Sequence, residues 1–154
     1  MKNLVFQLRQ KFLEKAINYY GPFVGAGVKL EKMSKDFRYA KVTMPLRFYN
    51  KNYMGTQFGG SLYSMVDPWY MLMLIKNLGS NYIVWDKSAH IHFKKPGRGK
   101  VYAEFNLTPE VIEEIKLYVE THTKMDYSFK VEIKDQEGKI ICEVDKVIYV
   151  RKKT

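Results

Sequence analysis

The residues best suited to chemistry lie between Asn52 and Pro68, where a glycine pair, Gly59-Gly60, opens an apolar run and an acid, Asp67, follows about two helical turns later. Glycine lets a ligand approach the backbone closely, and free N–H groups at a helix start can stabilise a developing oxyanion. A carboxylate among apolar neighbours tends to have a raised pKa, which suits a general base near neutral pH. Each feature also has a plain structural reading. Asp67-Pro68 is the pattern of an N-cap followed by proline at the first helical position, and Gly59-Gly60 can be a simple helix entry or a point of close packing.

Other candidates are weaker. Lys94, Lys95, Arg98 and Lys100 surround the turn Pro96-Gly97-Arg98-Gly99 and could pair with phosphates or simply be solvated. His90 and His92 alternate with Ala89, Ile91 and Phe93, so both share a strand face, but only His122 remains as a further histidine and no metal site is expected. Ser61, Ser64 and Ser88 lack a nucleophile elbow, and Cys142 reads as packing within an alternating strand. Gly25-Ala26-Gly27 lacks the third glycine of a dinucleotide fingerprint and there is no phosphate loop, so no cofactor is expected.

The elements that must position these groups follow from periodicity. Leu4, Leu8, Phe12, Ala16 and Ile17 predict a helix ending before Gly21-Pro22. Two alternating runs around Ser34-Lys35-Asp36 predict a hairpin, and residues 48–57 a loop. Residues 59–78 are apolar nearly all round, which predicts one enclosed helix stopped by Gly79. Strands are expected over 82–93 and 100–107, a helical insertion from Pro109 to about residue 120 after the cap Thr108, and last strands over 124–134 and 139–149. This order predicts an α+β fold in which an antiparallel sheet wraps around a central apolar helix. Tyr63, Met65, Trp69, Tyr70, Met71 and Met73 of that helix could line an apolar tunnel or pack the core.

Asn52, six residues, Gly59-Gly60 and then Asp67 resembles the hotdog-fold thioesterases, whose phenylacetate-type members carry Asn, then His-Gly-Gly, then Asp. Phe58 stands at the histidine position, and Asp67 keeps the family's separation from it. Residues 84–99 look like the strand and turn after the central helix of the same superfamily. With Asp67-Pro68 they are most similar to a bacterial branch described as tetrameric acyl-CoA thioesterases. The resemblance covers roughly residues 24–150 and implies a hotdog fold acting on acyl-CoA. It implies Asp67 as base or nucleophile, Gly59 and Gly60 as oxyanion donors, Asn52 as an orienting group, and Gln57, Phe58, Ser88, Lys94, Lys95 and Arg98 as substrate contacts. It also implies a homodimer or dimer of dimers, with glycine turn and acid supplied by different chains. A non-catalytic acyl-CoA or fatty-acyl binding protein is the alternative, favoured by Phe58.

Composition bounds these readings. A chain of 154 residues with 46% hydrophobic and 15% aromatic residues is expected to form one domain over 1–154, an N-terminal helix over 1–22 preceding a core over 24–150. A lone cysteine and the lack of an apolar leader or spanning segment predict a cytoplasmic protein. The net charge of +10 is spread along the chain without a nucleic-acid recognition motif, so no nucleic-acid partner is expected.

Overall fold

The computed structural model describes residues 16–153. Most of the helix expected from Leu4, Leu8 and Phe12 lies outside them, and residues 16–18 are helical. A short helix α1, Gly21–Ala26, follows with Pro22 in its first turn, where a missing N–H costs nothing; the proline that was expected only to end a helix also begins one.

Strands β1, Lys29–Met33, and β2, Tyr39–Met44, form the expected hairpin. Beyond the 45–58 loop come helices α2, Gly59–Ser64, and α3, Trp69–Leu78. Then follow β3, Tyr82–Phe93, β4, Val101–Asn106, helix α4, Pro109–His122, β5, Lys124–Asp135, and β6, Ile140–Lys152. The six strands form one antiparallel sheet in the order β1-β2-β4-β5-β6-β3. Thr108 caps α4 by accepting from the Val111 N–H, as its sequence suggested.

The central helix differs from expectation. It is two helices, because residues 65–68 leave helical geometry ahead of Pro68, which lacks an N–H and disfavours the α conformation at Asp67 before it. Trp69 repairs the break: its indole N–H donates to the Met65 carbonyl at 2.8 Å, and its ring stacks on Phe23 and meets Phe105. Met65, Trp69, Tyr70 and Met73 are buried in the core, so packing is their role, with Tyr70 stacked on Phe129. The enclosure is one-sided, since Ile75 and Lys76 of α3 reach solvent.

Strand β3 lies at an edge. It pairs with β6 alone among the described residues, and Trp85 and Phe93 on it are exposed.

Candidate active site

The 45–58 loop is built by its asparagines. Asn50, buried, accepts from the Arg47 N–H at 2.7 Å and donates to the carbonyls of Ala26 and Pro45, each at 3.0 Å. Asn52 closes a turn with Thr56: its Nδ2 donates to Thr56 Oγ1 and its Oδ1 accepts from the Thr56 N–H, both at 3.0 Å. The next residue, Gln57, is buried, and its Nε2 donates to Gly99 O at 2.9 Å and Met44 O at 3.2 Å. Two carbonyls can only accept, so the amide orientation is fixed and Oε1 is left buried without a partner among the described residues. A buried acceptor without a donor costs free energy that a bound N–H or water would recover.

Gly97 makes this arrangement possible, since a Cβ there would come within 2.9 Å of Gln57 Cγ. Its carbonyl also accepts from the Gln57 N–H at 2.9 Å. The turn after β3 is thus locked against the loop before α2. Asn52, Gln57 and Gly59 come together with Lys94 and Lys95 around a cavity of about 370 Å³, to which Thr56, Leu62, Phe93 and Pro96 also contribute. Here the fold joins residues that the sequence separates by some forty positions. The N–H groups of Gly59 and Gly60 have no acceptor among the described residues, as befits a first helical turn. Gly60 also has a packing reason, because a Cβ there would lie 2.5 Å from the Phe58 ring.

Not every expected residue joins this group. Phe58 and Arg98 are exposed and do not line the cavity, and Ser88 is exposed on β3 just past a bulge. Lys94 is paired with Glu143 at 2.9 Å and Lys100 with Glu31 at 3.4 Å. The rings of His90 and His92 lie 4.3 Å apart, tilted by 48°, on the edge strand, and no group of three potential metal ligands occurs among the described residues. Cys142 is buried, and burial pushes its thiol up to about 11, which suits packing rather than nucleophilic attack.

Asp67 is placed differently from expectation. It sits in the break between α2 and α3, is 45% exposed rather than enclosed by apolar groups, and is absent from the cavity lining of its own chain. Its hydrogen bonds are not those of a cap. Oδ1 accepts from Tyr63 Oη at 2.9 Å and from Lys146 Nζ at 2.9 Å, and Lys146 also donates to the Asp67 carbonyl at 2.7 Å. Oδ2 is bonded to nothing among the described residues, so the two oxygens are not equivalent.

Lys146 is the residue that motif reasoning passed over. Its side chain is 1% exposed, its ammonium lies 2.7 Å from Asp86 Oδ1, and it stands 5.6 Å from the Tyr63 ring centre. The Asp86 contact is an ion pair lying off the direction of a hydrogen bond, so that oxygen has no aligned donor. Burial pushes the Asp86 carboxyl up, against the pull of Lys146. Burial also works to lower the lysine, but close contact with the charges of Asp86 and Asp67 outweighs it and the ammonium is held above its ordinary value. A signal for Lys146 did exist. Cys142, Val144, Ile148 and Val150 alternate inward along β6, and Lys146 is the charged residue in that phase.

Solved structures share the architecture. PA5026 of Pseudomonas aeruginosa, called a protein of unknown function and "Probable Thioesterase", is 20% identical with a TM-score of 0.80, over 93% of this chain and 95% of that one. OLEI01261 of Chlorobaculum tepidum, of unknown function, is 18% identical with a TM-score of 0.72, over 92% and 93% of the two chains. The thioesterase HI1161 of Haemophilus influenzae is 16% identical with a TM-score of 0.65, over 91% and 88%. At these identities the likeness is one of fold, the hotdog fold. No curated protein matches the chain in sequence. The family model described as "Domain of unknown function (DUF4442)" matches residues 9–150, and the chain therefore belongs to the DUF4442 family, with the hotdog architecture of thioesterases.

Proposed function

We propose that the protein hydrolyses acyl-CoA thioesters. The observation that carries this reading is the cavity in which Asn52, Gln57 and the Gly59 helix start meet the basic turn at Lys94 and Lys95. The thioester carbonyl oxygen would accept from the Gly59 and Gly60 N–H groups, which stabilise the charge that grows on it. Asp67, through Oδ2, would take a proton from water as the water oxygen attacks the carbonyl carbon; the C–S bond then breaks, the proton passes from Asp67 to the departing sulfur, and coenzyme A leaves as the thiol. Gln57 Oε1 would accept from a ligand N–H or from the water. Thiol release from a panel of acyl-CoAs, with mass spectrometry of ligand retained by the purified protein, tests the reading. Retained acyl-CoA without thiol release would favour a binding protein, the second reading, which Phe58 in the histidine position supports.

Because Asp67 does not line its own chain's cavity, the complete site would need a second copy, the glycine turn from one chain and the acid from the other. The long exposed edge of β3 supports this reading, since its unpaired backbone groups can extend the sheet into a partner. Light scattering should therefore give at least twice the 18.2 kDa chain mass at micromolar concentration, and a monomer would remove the shared site.

If the basic turn receives coenzyme A phosphates, neutralising Lys95 and Arg98, which enter no ion pair among the described residues, should weaken acyl-CoA binding by about tenfold at low salt. Hydrolysis of a truncated thioester without the nucleotide should hold nearly steady. Equal losses on both substrates would indicate damage to the fold instead.

A further inference from the structure

Acidic residues are absent from residues 37–66 and 87–103, the two segments that supply the cavity, and from 15–30, which precede β1. The 45–58 loop carries large apolar side chains beside its cations. Phe48 is 87%, Tyr53 103% and Met54 77% exposed, while Arg47 and Lys51 enter no ion pair among the described residues. The loop is braced, not collapsed: the Asn50 and Asn52 hydrogen bonds hold its backbone while these side chains remain outside. Its neighbour continues the patch. Asn50 ties the loop to Ala26 of α1, where Val24 is exposed, and Tyr19 and Tyr20 just before that helix are exposed as well.

Exposed apolar clusters of this kind mark contact surfaces. Aromatic and aliphatic tips interleaved with unpaired cations, with no acid among them, match the headgroup region of an anionic bilayer: the tips enter the acyl boundary and the cations meet phosphates. A nucleic acid would use Arg47 and Lys51 but gain little from Phe48 and Met54. We propose that the 45–58 loop docks the protein on an anionic lipid surface, with Phe48, Tyr53 and Met54 entering the interface and Arg47 and Lys51 against the headgroups. The same loop bears Asn52 and Gln57, so docking sets the cavity mouth close to the membrane. This inference does not require that thioesters be hydrolysed.

The test is co-sedimentation of the full chain with vesicles of phosphatidylcholine, alone or with a third of phosphatidylglycerol. Binding is expected only to the anionic vesicles and should weaken as salt rises. Phe48→Ser/Tyr53→Ser/Met54→Ser and Arg47→Gln/Lys51→Gln should each reduce it by about tenfold or more, with light scattering and thermal unfolding unchanged. Equal binding to neutral vesicles, no binding to anionic ones, or serine variants that bind as the parent does would each overturn the proposal. So would serine variants that lose self-association, since the patch would then be an interface between copies of the chain.

Discussion

Asp67→Asn is expected to lower thioester hydrolysis by about a hundredfold or more while the protein stays folded and still binds acyl-CoA. The change is nearly isosteric and keeps an acceptor oxygen for Tyr63 and Lys146, which hold Oδ1 in the parent. It removes the basic carboxylate, the one property that proton abstraction requires. Lys146 keeps a counter-charge in Asp86, so the buried ammonium is not stranded. The measurement is kcat and KM for thiol release beside a thermal melt. A folded Asp67→Asn protein that releases thiol at the parent rate would take Asp67 out of the chemistry and leave the binding-protein reading ahead.

The second large effect is expected at Lys146, through stability first. Lys146→Met removes the cation between two carboxylates, and breaking a buried pair by deleting one partner costs about 3–5 kcal/mol; the lower end applies because Asp67 is 45% exposed. Asp86, at 23% exposure, carries most of the cost. The deficit should depend on pH. The Asp86 carboxyl is already pushed up by burial, and loss of Lys146 pushes it further in the same direction. A carboxyl whose folded pKa exceeds its unfolded value contributes stability below the unfolded pKa and loses it as pH rises through the folded one. The variant should therefore recover towards the parent as pH is lowered from neutral towards about 4. In the parent, Lys146 is itself raised, so its contribution persists through neutral pH and is lost as pH rises above the ordinary lysine range of about 10.4.

Lys146→Met/Asp86→Asn, which deletes both buried charges, should regain most of the stability. If Lys146 fixes the Asp67 carboxylate for catalysis, this folded double variant should still show a lowered kcat with little change in KM. Denaturant melts, beside kcat and KM for thiol release, read these two roles separately. An unchanged kcat in the double variant would confine Lys146 to the core.

Local sequence determined much of this molecule. Alternation marked β4 and β6, because a strand with one buried face must alternate, and β3 at Tyr82–Phe93 was legible as well although Val84 is its one buried residue. Thr108-Pro109 announced α4, since capping chemistry is local to one turn. Glycines and Asn52 near α2 pointed to the loop that lines the cavity, although the histidine position filled by Phe58 turned out to lie beside it. Tertiary structure decided the rest. Residues 59–78 read as one apolar helix, yet the chain leaves helical geometry at 65–68, and Trp69 could mend the break only because Phe23 and Phe105 received its ring. Gln57 gained its fixed amide from carbonyls of Met44 and Gly99, which the chain brings beside it only after the sheet has formed. The pairing of Asp67 with Lys146 spans 79 residues. Inward alternation along β6 gave the lysine's phase, but no local pattern names the carboxylates that meet it across the sheet, because a charge is paired by whatever packing brings within reach and not by its neighbours in sequence.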